Sequence, residues 1–344
     1  MTLSPHAVSD PAVWKGSDLV DRDDWVLRLS DALIAALGTA ASAVADELDG
    51  DPSRLLDTAT VKLPVDLVEE VAADVRNRLG DELGFVVVRG LPVDDWDRLT
   101  VLVAYWTIGS ALGRPLANNP SGDMVGHVAD LGKDLDHPKH RAYQTNATMY
   151  YHADQCDAVG LLCLRPAKSG GQSKVASSLH AHNVLWERHP DLARALTQPL
   201  RWSRMGEVGP RQDEWYPAAV FDTTEGRLSV ASGVKHIEKG HALPGSPPLP
   251  PKAREAIEVL NDICEEFHLS MAFEPGDMQF LNNAVCMHSR TGFEDWPEPE
   301  RRRLLWRLWL RVPDLRPLSP YLRNWEDGIW APEGSHNISL EPPG

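Results

Sequence analysis

Apolar positions along the chain recur first at helical spacing and later at every second residue. Trp25 to Leu48 predicts a helix, with Leu29, Leu33, Ile34 and Leu37 on one face. Val65 to Leu79 repeats that pattern through Leu67, Val71 and Val75. The period then changes. Phe85-Val86-Val87-Val88-Arg89 is a β-branched run stopped by Gly90-Leu91-Pro92, the signature of a buried strand. Asp94 to Leu112 returns to helix, and Ala117 to Gln144 reads as loop around the turn Asn118-Asn119-Pro120-Ser121-Gly122.

Beyond that loop, short strands dominate: a central one carrying Tyr150 to Asp154, then Val159 to Leu164, Met271 to Phe273, Met278 to Leu281 and Arg303 to Val312. His180 to Leu196 predicts helical turns broken at Pro190. Ala253 to Phe267 predicts an amphipathic helix with Ala253, Ile257, Leu260, Cys264 and Phe267 on its apolar face. Residues 199–250 are irregular and end in a proline-rich run, a length of loop that often covers a site. Helices first and short strands afterwards suit a mainly β protein with α (α+β), a β-sandwich or jelly roll with helical packing, better than alternating βαβ units. The expected organisation is an N-terminal helical extension over 1–80 and a core over 81–344 with a long insert at 199–250.

Composition changes this picture little. With 34 Lys and Arg against 50 Asp and Glu, the formal charge is −16, which argues against a nucleic-acid partner. No apolar run is long enough to span a bilayer, and the N-terminus has no signal-peptide pattern. Cys156, Cys163, Cys264 and Cys286 show no C-x-x-C spacing, so free thiols in a reducing, cytoplasmic setting are expected.

The chemistry gathers at Tyr150-Tyr151-His152-Ala153-Asp154. Side chains at i and i+2 of a strand share a face, so His152 and Asp154 can converge on one point. With a second histidine from a distant strand, His288, they make the two-histidine, one-carboxylate set that holds non-heme Fe(II) with positions left open. A lone His-x-Asp is a weak signal. His189-Pro190-Asp191 is a control that falls at a helix start, and His236-Ile237-Glu238 competes on a plausible strand.

A second pattern lies downstream. Residues 303–310 alternate, with Arg303, Leu305, Arg307 and Trp309 on one face and Leu304, Trp306, Leu308 and Leu310 on the other. Two guanidinium groups on the face of an apolar strand call for an anion, and arginine holds carboxylates through a bidentate fork. Tyr150, which shares the orientation of 152 and 154, is a candidate pocket residue together with Asn146, Asn283, Arg290 and Arg307.

The chain resembles the taurine dioxygenase and clavaminate synthase-like group of Fe(II)/2-oxoglutarate-dependent oxygenases. Phe85 to Pro92, Tyr151 to Asp154, Gly170-Gly171-Gln172-Ser173, and Asn282-Asn283 through His288 to Arg307 carry the resemblance, in the family's order. It implies a double-stranded β-helix (jelly roll, cupin-like) core, with His152, Asp154 and His288 as iron ligands. It implies that Arg303 holds the distal carboxylate of 2-oxoglutarate, with Ser173 where the family often has threonine, and that Arg307 meets an anionic group of a small-molecule substrate. Halogenating relatives lack the metal carboxylate, so the presence of Asp154 disfavours halogenation. The resemblance implies Fe(II), 2-oxoglutarate and O2 as reactants, release of succinate and CO2, and oxidation of a substrate C–H bond. Hydroxylation is the simplest outcome; desaturation or ring closure uses the same centre. A metal-binding cupin-like protein and a zinc hydrolase are the competing readings.

Overall fold

The computed structural model describes residues 6–133 and 142–342, so part of the predicted loop before Gln144 and the first residues of the lead-in lie outside it. The strands in chain order are β1 Val26–Arg28, β2 Phe85–Arg89, β3 Arg114–Leu116, β4 Gly126–Val128, β5 Ala158–Arg165, β6 Ser169–Gly170, β7 Ser173–Ser177 and β8 Leu200–Ser203. They continue as β9 Trp215–Ala218, β10 Phe221–Thr224, β11 Arg227–Val230, β12 Leu269–Met271, β13 Met278–Asn282, β14 Cys286–Arg290, β15 Phe293–Glu294 and β16 Leu304–Arg311. The helices used below are α1 Asp31–Glu47, α2 Glu69–Gly80, α3 Arg98–Leu112, α4 Ser178–Arg188, α5 Pro190–Leu196, α6 Val234–Ala242 and α7 Pro251–Phe267.

Two sheets share one core. The larger is mixed and runs β1-β2-β13-β5-β16-β3, with β4 also pairing β16; the smaller runs β12-β7-β14. Only β1 and β2 pair in parallel within the larger sheet. Alternation along its strands sends one set of side chains to each side. Phe85, Val87, Val159, Leu161, Leu281, Leu305 and Trp309 share the inner core with Val175 and Met271 of the smaller sheet. Val86, Val88, Leu162, Phe280, Leu304, Trp306, Leu308 and Leu310 face outward onto α1, α2 and α3. The two faces of β16 are therefore the two predicted from its sequence.

Helix α3 is the plate between the sheet and the N-terminal helices, and nearly every residue from Thr100 to Gly109 is buried. Its start is set by Asp97, whose carboxylate accepts from the Leu99 and Thr100 amides at 3.0 Å each. On the other side, α4, α5 and α7 cover the smaller sheet, with Leu179, Leu185, Leu192, Leu260 and Ile263 in the inner core.

Several expectations change. The predicted helix from Trp25 is a strand over Val26–Arg28 followed by a helix from Asp31, capped by Ser30. Parallel pairing with β2 overrides local helical periodicity there. The N-terminal stretch thus supplies an edge strand to the large sheet as well as helices. Residues 150–154 form no continuous strand; His152 makes a single antiparallel bridge to His288. The irregular stretch 199–250 holds two ribbons, β8–β9 and β10–β11, and helix α6. His236 lies on α6, so the His-x-Glu pattern there does not place both side chains on one face. The four cysteines are free and buried. Among the described residues no helix is long and apolar enough to cross a membrane.

Candidate active site

The bridge between His152 and His288 brings two residues distant in sequence side by side. Each backbone amide donates to the other's carbonyl, at 3.0 and 2.9 Å, and the imidazole centroids lie 4.2 Å apart. Asp154 joins them from the irregular segment that follows. One ligand atom from each of His152, Asp154 and His288 lies within 4.8 Å of the other two. The segment is held from behind: Asn283 Oδ1 accepts from the Asp154 amide at 2.9 Å, and its Nδ2 donates to the Cys156 carbonyl at 3.1 Å. His152 Nδ1 sits 3.0 Å from the Tyr150 carbonyl, which can only accept, so the proton resides on Nδ1 and Nε2 keeps its lone pair.

The electrostatics favour the metal-binding protonation state. Burial alone raises the Asp154 carboxyl, but the Arg307 charge, backed by His288 and His152, brings it down to about 2. Burial and the neighbouring His152 push His288 down to about 3, and burial lowers His152 as well. At neutral pH the cluster is one carboxylate and two neutral imidazoles, the form that metals require. Asp154 Oδ2 is buried without a hydrogen-bond partner and lies 3.9 Å from His288 Nε2. A buried carboxylate oxygen with nothing to accept from, facing two imidazoles, fits a bound divalent ion.

Two cavities meet at this cluster, with Tyr143, Met149, His152, Asp154 and Arg307 lining both. The inner one is walled by apolar Val128, Leu161, Phe273 and Leu305 and ends at Ser173, Arg290 and Arg303. Arg303 is buried on a turn made by Gly170 and Gly171, at φ +72° and +70°. A Cβ on Gly171 would stand 3.3 Å from Arg303 Nε, so glycine is what lets the backbone pass the guanidinium. The hydrogen bond recorded for the Arg303 guanidinium is a long one, 3.5 Å from Nη1 to the Val128 carbonyl, and burial brings its pKa down to about 10. Ser173 Oγ donates to Gln279 Oε1 at 3.2 Å.

The outer cavity is lined by Thr148, Met149, Tyr150, Ala153 and Gln155, by Met205, and by Val234, Lys235, His236 and Lys239 of α6. Met205 adopts φ +56°, uncommon for a side-chain-bearing residue, and lines this cavity. Arg307 closes its floor. Its Nε donates to Asn118 Oδ1 at 3.0 Å, its guanidinium lies 4.6 Å from the Tyr143 ring and 4.7 Å from the Trp309 ring, and Nη2 is buried without a partner.

The structure thus brings together His152, Asp154, His288, Ser173, Arg303 and Arg307. Tyr150 is 51% exposed, lines the outer cavity and supplies the carbonyl that orients His152. Arg290 lies at the inner cavity, not the outer one. Asn283 is buried behind Asp154, where it supports the ligand loop instead of lining the pocket. Asn146 is exposed and lines neither cavity; its carbonyl accepts from the Phe293 amide. Sequence reading missed Tyr143, Asn118, Met205, Lys235 and Lys239. Their only local signal was membership of long loops, which are common hosts of site residues.

Two histidines and one carboxylate where the two cavities meet form a group that could hold one metal ion and leave positions free for exchangeable ligands. The chain belongs to the family of taurine catabolism dioxygenase TauD and TfdA, whose model matches residues 50–309, and is an iron- and 2-oxoglutarate-dependent dioxygenase. It is 28% identical over 326 residues to the FR-33289 synthase of Streptomyces rubellomurinus, covering 92% of this chain and 95% of that protein. An asparagine oxygenase solved with Fe(II), 2S,3S-3-hydroxyasparagine and succinate shares the fold at TM-score 0.64 and 18% identity, over 84% of this chain and 94% of that one. The non-heme iron oxygenase OrfP, solved with Fe and alpha-ketoglutaric acid, does so at TM-score 0.60 and 17% identity, over 83% and 93%.

Proposed function

We propose that this dioxygenase oxidises a C–H bond of a small anionic, amino-acid-like molecule bound in the outer cavity, most simply by hydroxylation, with release of succinate and CO2. The observation that carries this reading is the placement of Arg307 on β16 and of Arg303 just before it, the first lining both cavities and the second the inner one, with His152 and Asp154 lining both. The two sheets are read as the sides of a distorted double-stranded β-helix. Residues 81–344 are read as its core with an insert at 199–250, and 1–80 as an extension built onto it.

His152 Nε2, Asp154 Oδ2 and His288 Nε2 would hold the iron, which supplies O2 activation when bound. Arg303 and Ser173 would grip the distal carboxylate of 2-oxoglutarate at the closed end of the inner cavity. Val128, Leu161, Phe273 and Leu305 exclude water from the space between. Arg307 Nη2 is free to pair with an anionic group of the substrate and so fix which C–H bond faces the metal. Lys235, ion-paired with Glu238, and Lys239 line the same cavity. The hydroxyasparagine in the asparagine oxygenase complex supports an amino-acid-like substrate.

The test is succinate release under air from the iron-loaded enzyme, screened over amino acids and other small anions. A productive substrate is expected to raise succinate and to perturb the visible charge-transfer band formed anaerobically by Fe(II) and 2-oxoglutarate. Turnover that needs neither O2 nor 2-oxoglutarate would identify a hydrolase instead.

A further inference from the structure

Arg290 presents a second buried cation to the inner cavity. It ends β14, two residues beyond His288, and stands directly opposite Ser173 in the β14–β7 register. The side chain is 4% exposed. Of its three nitrogens, only Nη2 is engaged, donating to the Thr145 carbonyl at 3.0 Å and to the Ala147 carbonyl at 2.5 Å. Nε and Nη1 are buried with no partner. Among the described residues no carboxylate forms an ion pair with either Arg290 or Arg303. The two guanidinium carbons lie 4.6 and 5.1 Å from the centroid of the same Phe293 ring.

Two guanidinium groups without an ion-paired carboxylate, only partly offset by the charges of Asp295 and Asp130, share one ring, line one cavity and repel each other in a poorly solvated place. A single carboxylate between them removes that repulsion and satisfies the spare donors. We propose that Arg290 is a second arm of the co-substrate clamp, with Nε and Nη1 donating to the distal carboxylate of 2-oxoglutarate alongside Arg303. This rests on the reading of the inner cavity as the 2-oxoglutarate site. Arg290 Nη2 meanwhile stays on the carbonyls of residues 145 and 147, just before Thr148 and Met149, which line the outer cavity. The same side chain therefore links the co-substrate to the wall of the substrate pocket.

The experiment compares 2-oxoglutarate with 2-oxovalerate, which has the same chelating end and no distal carboxylate. Both are titrated anaerobically into the Fe(II)-loaded full chain, with the charge-transfer band as readout. Arg290→Gln is expected to weaken 2-oxoglutarate binding about ten- to a hundredfold and to leave 2-oxovalerate binding unchanged. Arg290→Lys, which keeps the charge without the fork, is expected to fall between wild type and Arg290→Gln, and where the glutamine variant does not fold, weakening of 2-oxoglutarate but not 2-oxovalerate binding in Arg290→Lys supports the proposal. Equal weakening for both acids marks a purely structural residue and overturns it, as does a wild-type preference for 2-oxoglutarate in both variants. Arg303→Gln separates the two layers. If it abolishes the preference and Arg290→Gln does not, only the role of Arg290 fails; if it too keeps the preference, the assignment of the cavity fails with it.

Discussion

Asp154 Oδ1 and Arg307 Nη1 lie 3.6 Å apart, both side chains are buried, and neither uses up the other. Asp154 Oδ2 and Arg307 Nη2 remain without hydrogen-bond partners. The arginine keeps the carboxylate ionised and still has a donor to offer toward the outer cavity. The proposed metal site and the proposed substrate anchor are thereby one electrostatic unit.

Removing the carboxylate breaks that unit from the metal side. Asp154→Ala is expected to abolish succinate formation and the charge-transfer band. Wild-type turnover in this variant would remove Asp154 from the site.

Arg303 and Arg307 are expected to separate kinetically. Arg303→Ala should raise the KM for 2-oxoglutarate by about ten- to a hundredfold, the worth of a charge-assisted hydrogen bond. Arg307→Ala should mainly raise the KM for the prime substrate once one is in hand. Steady-state kinetics with each reactant varied in turn decides, and reversed effects would mean the assignments are exchanged.

Asn283 tests the support behind the ligands. Its amide holds both the Asp154 amide and the Cys156 carbonyl, so Asn283→Ala is expected to reduce Fe(II) affinity by about ten- to a hundredfold. Activity at saturating iron should recover in part. An unchanged iron titration would show that the ligand loop holds itself.

Stability carries a separate pH signature at His182. Burial pushes this imidazole down to about 4 from 6.5, and it packs edge-on against Phe221 at 4.7 Å. Between those two values the unfolded chain binds a proton that the folded one does not, so stability is full above pH 6.5 and falls as pH drops toward 4. The loss attributable to this group is on the order of 3 kcal/mol. Urea unfolding of wild type and His182→Leu at pH 7.5 and 5 should show the variant gaining relative to wild type at the lower pH. A difference independent of pH would assign the acid sensitivity elsewhere.

What the sequence determined by itself is what depends on local period. The alternation of residues 303–310 put Arg303 and Arg307 on one face and Leu304, Trp306, Leu308 and Leu310 on the other, because a strand repeats every two residues whatever its partner. The apolar stripe of α7 followed from the helical period in the same way. Tertiary structure decided everything that depends on which segments pair. Val26 to Arg28 is strand because β2 lies beside it, and His152 meets His288 through one bridge across 136 positions. Asn146, Asn283 and Arg290 looked alike as polar residues near the ligands. Packing sent the first to the surface, the second behind Asp154 and the third to the inner cavity, because a side chain's destination is set by the neighbours that surround it and not by its place in the chain.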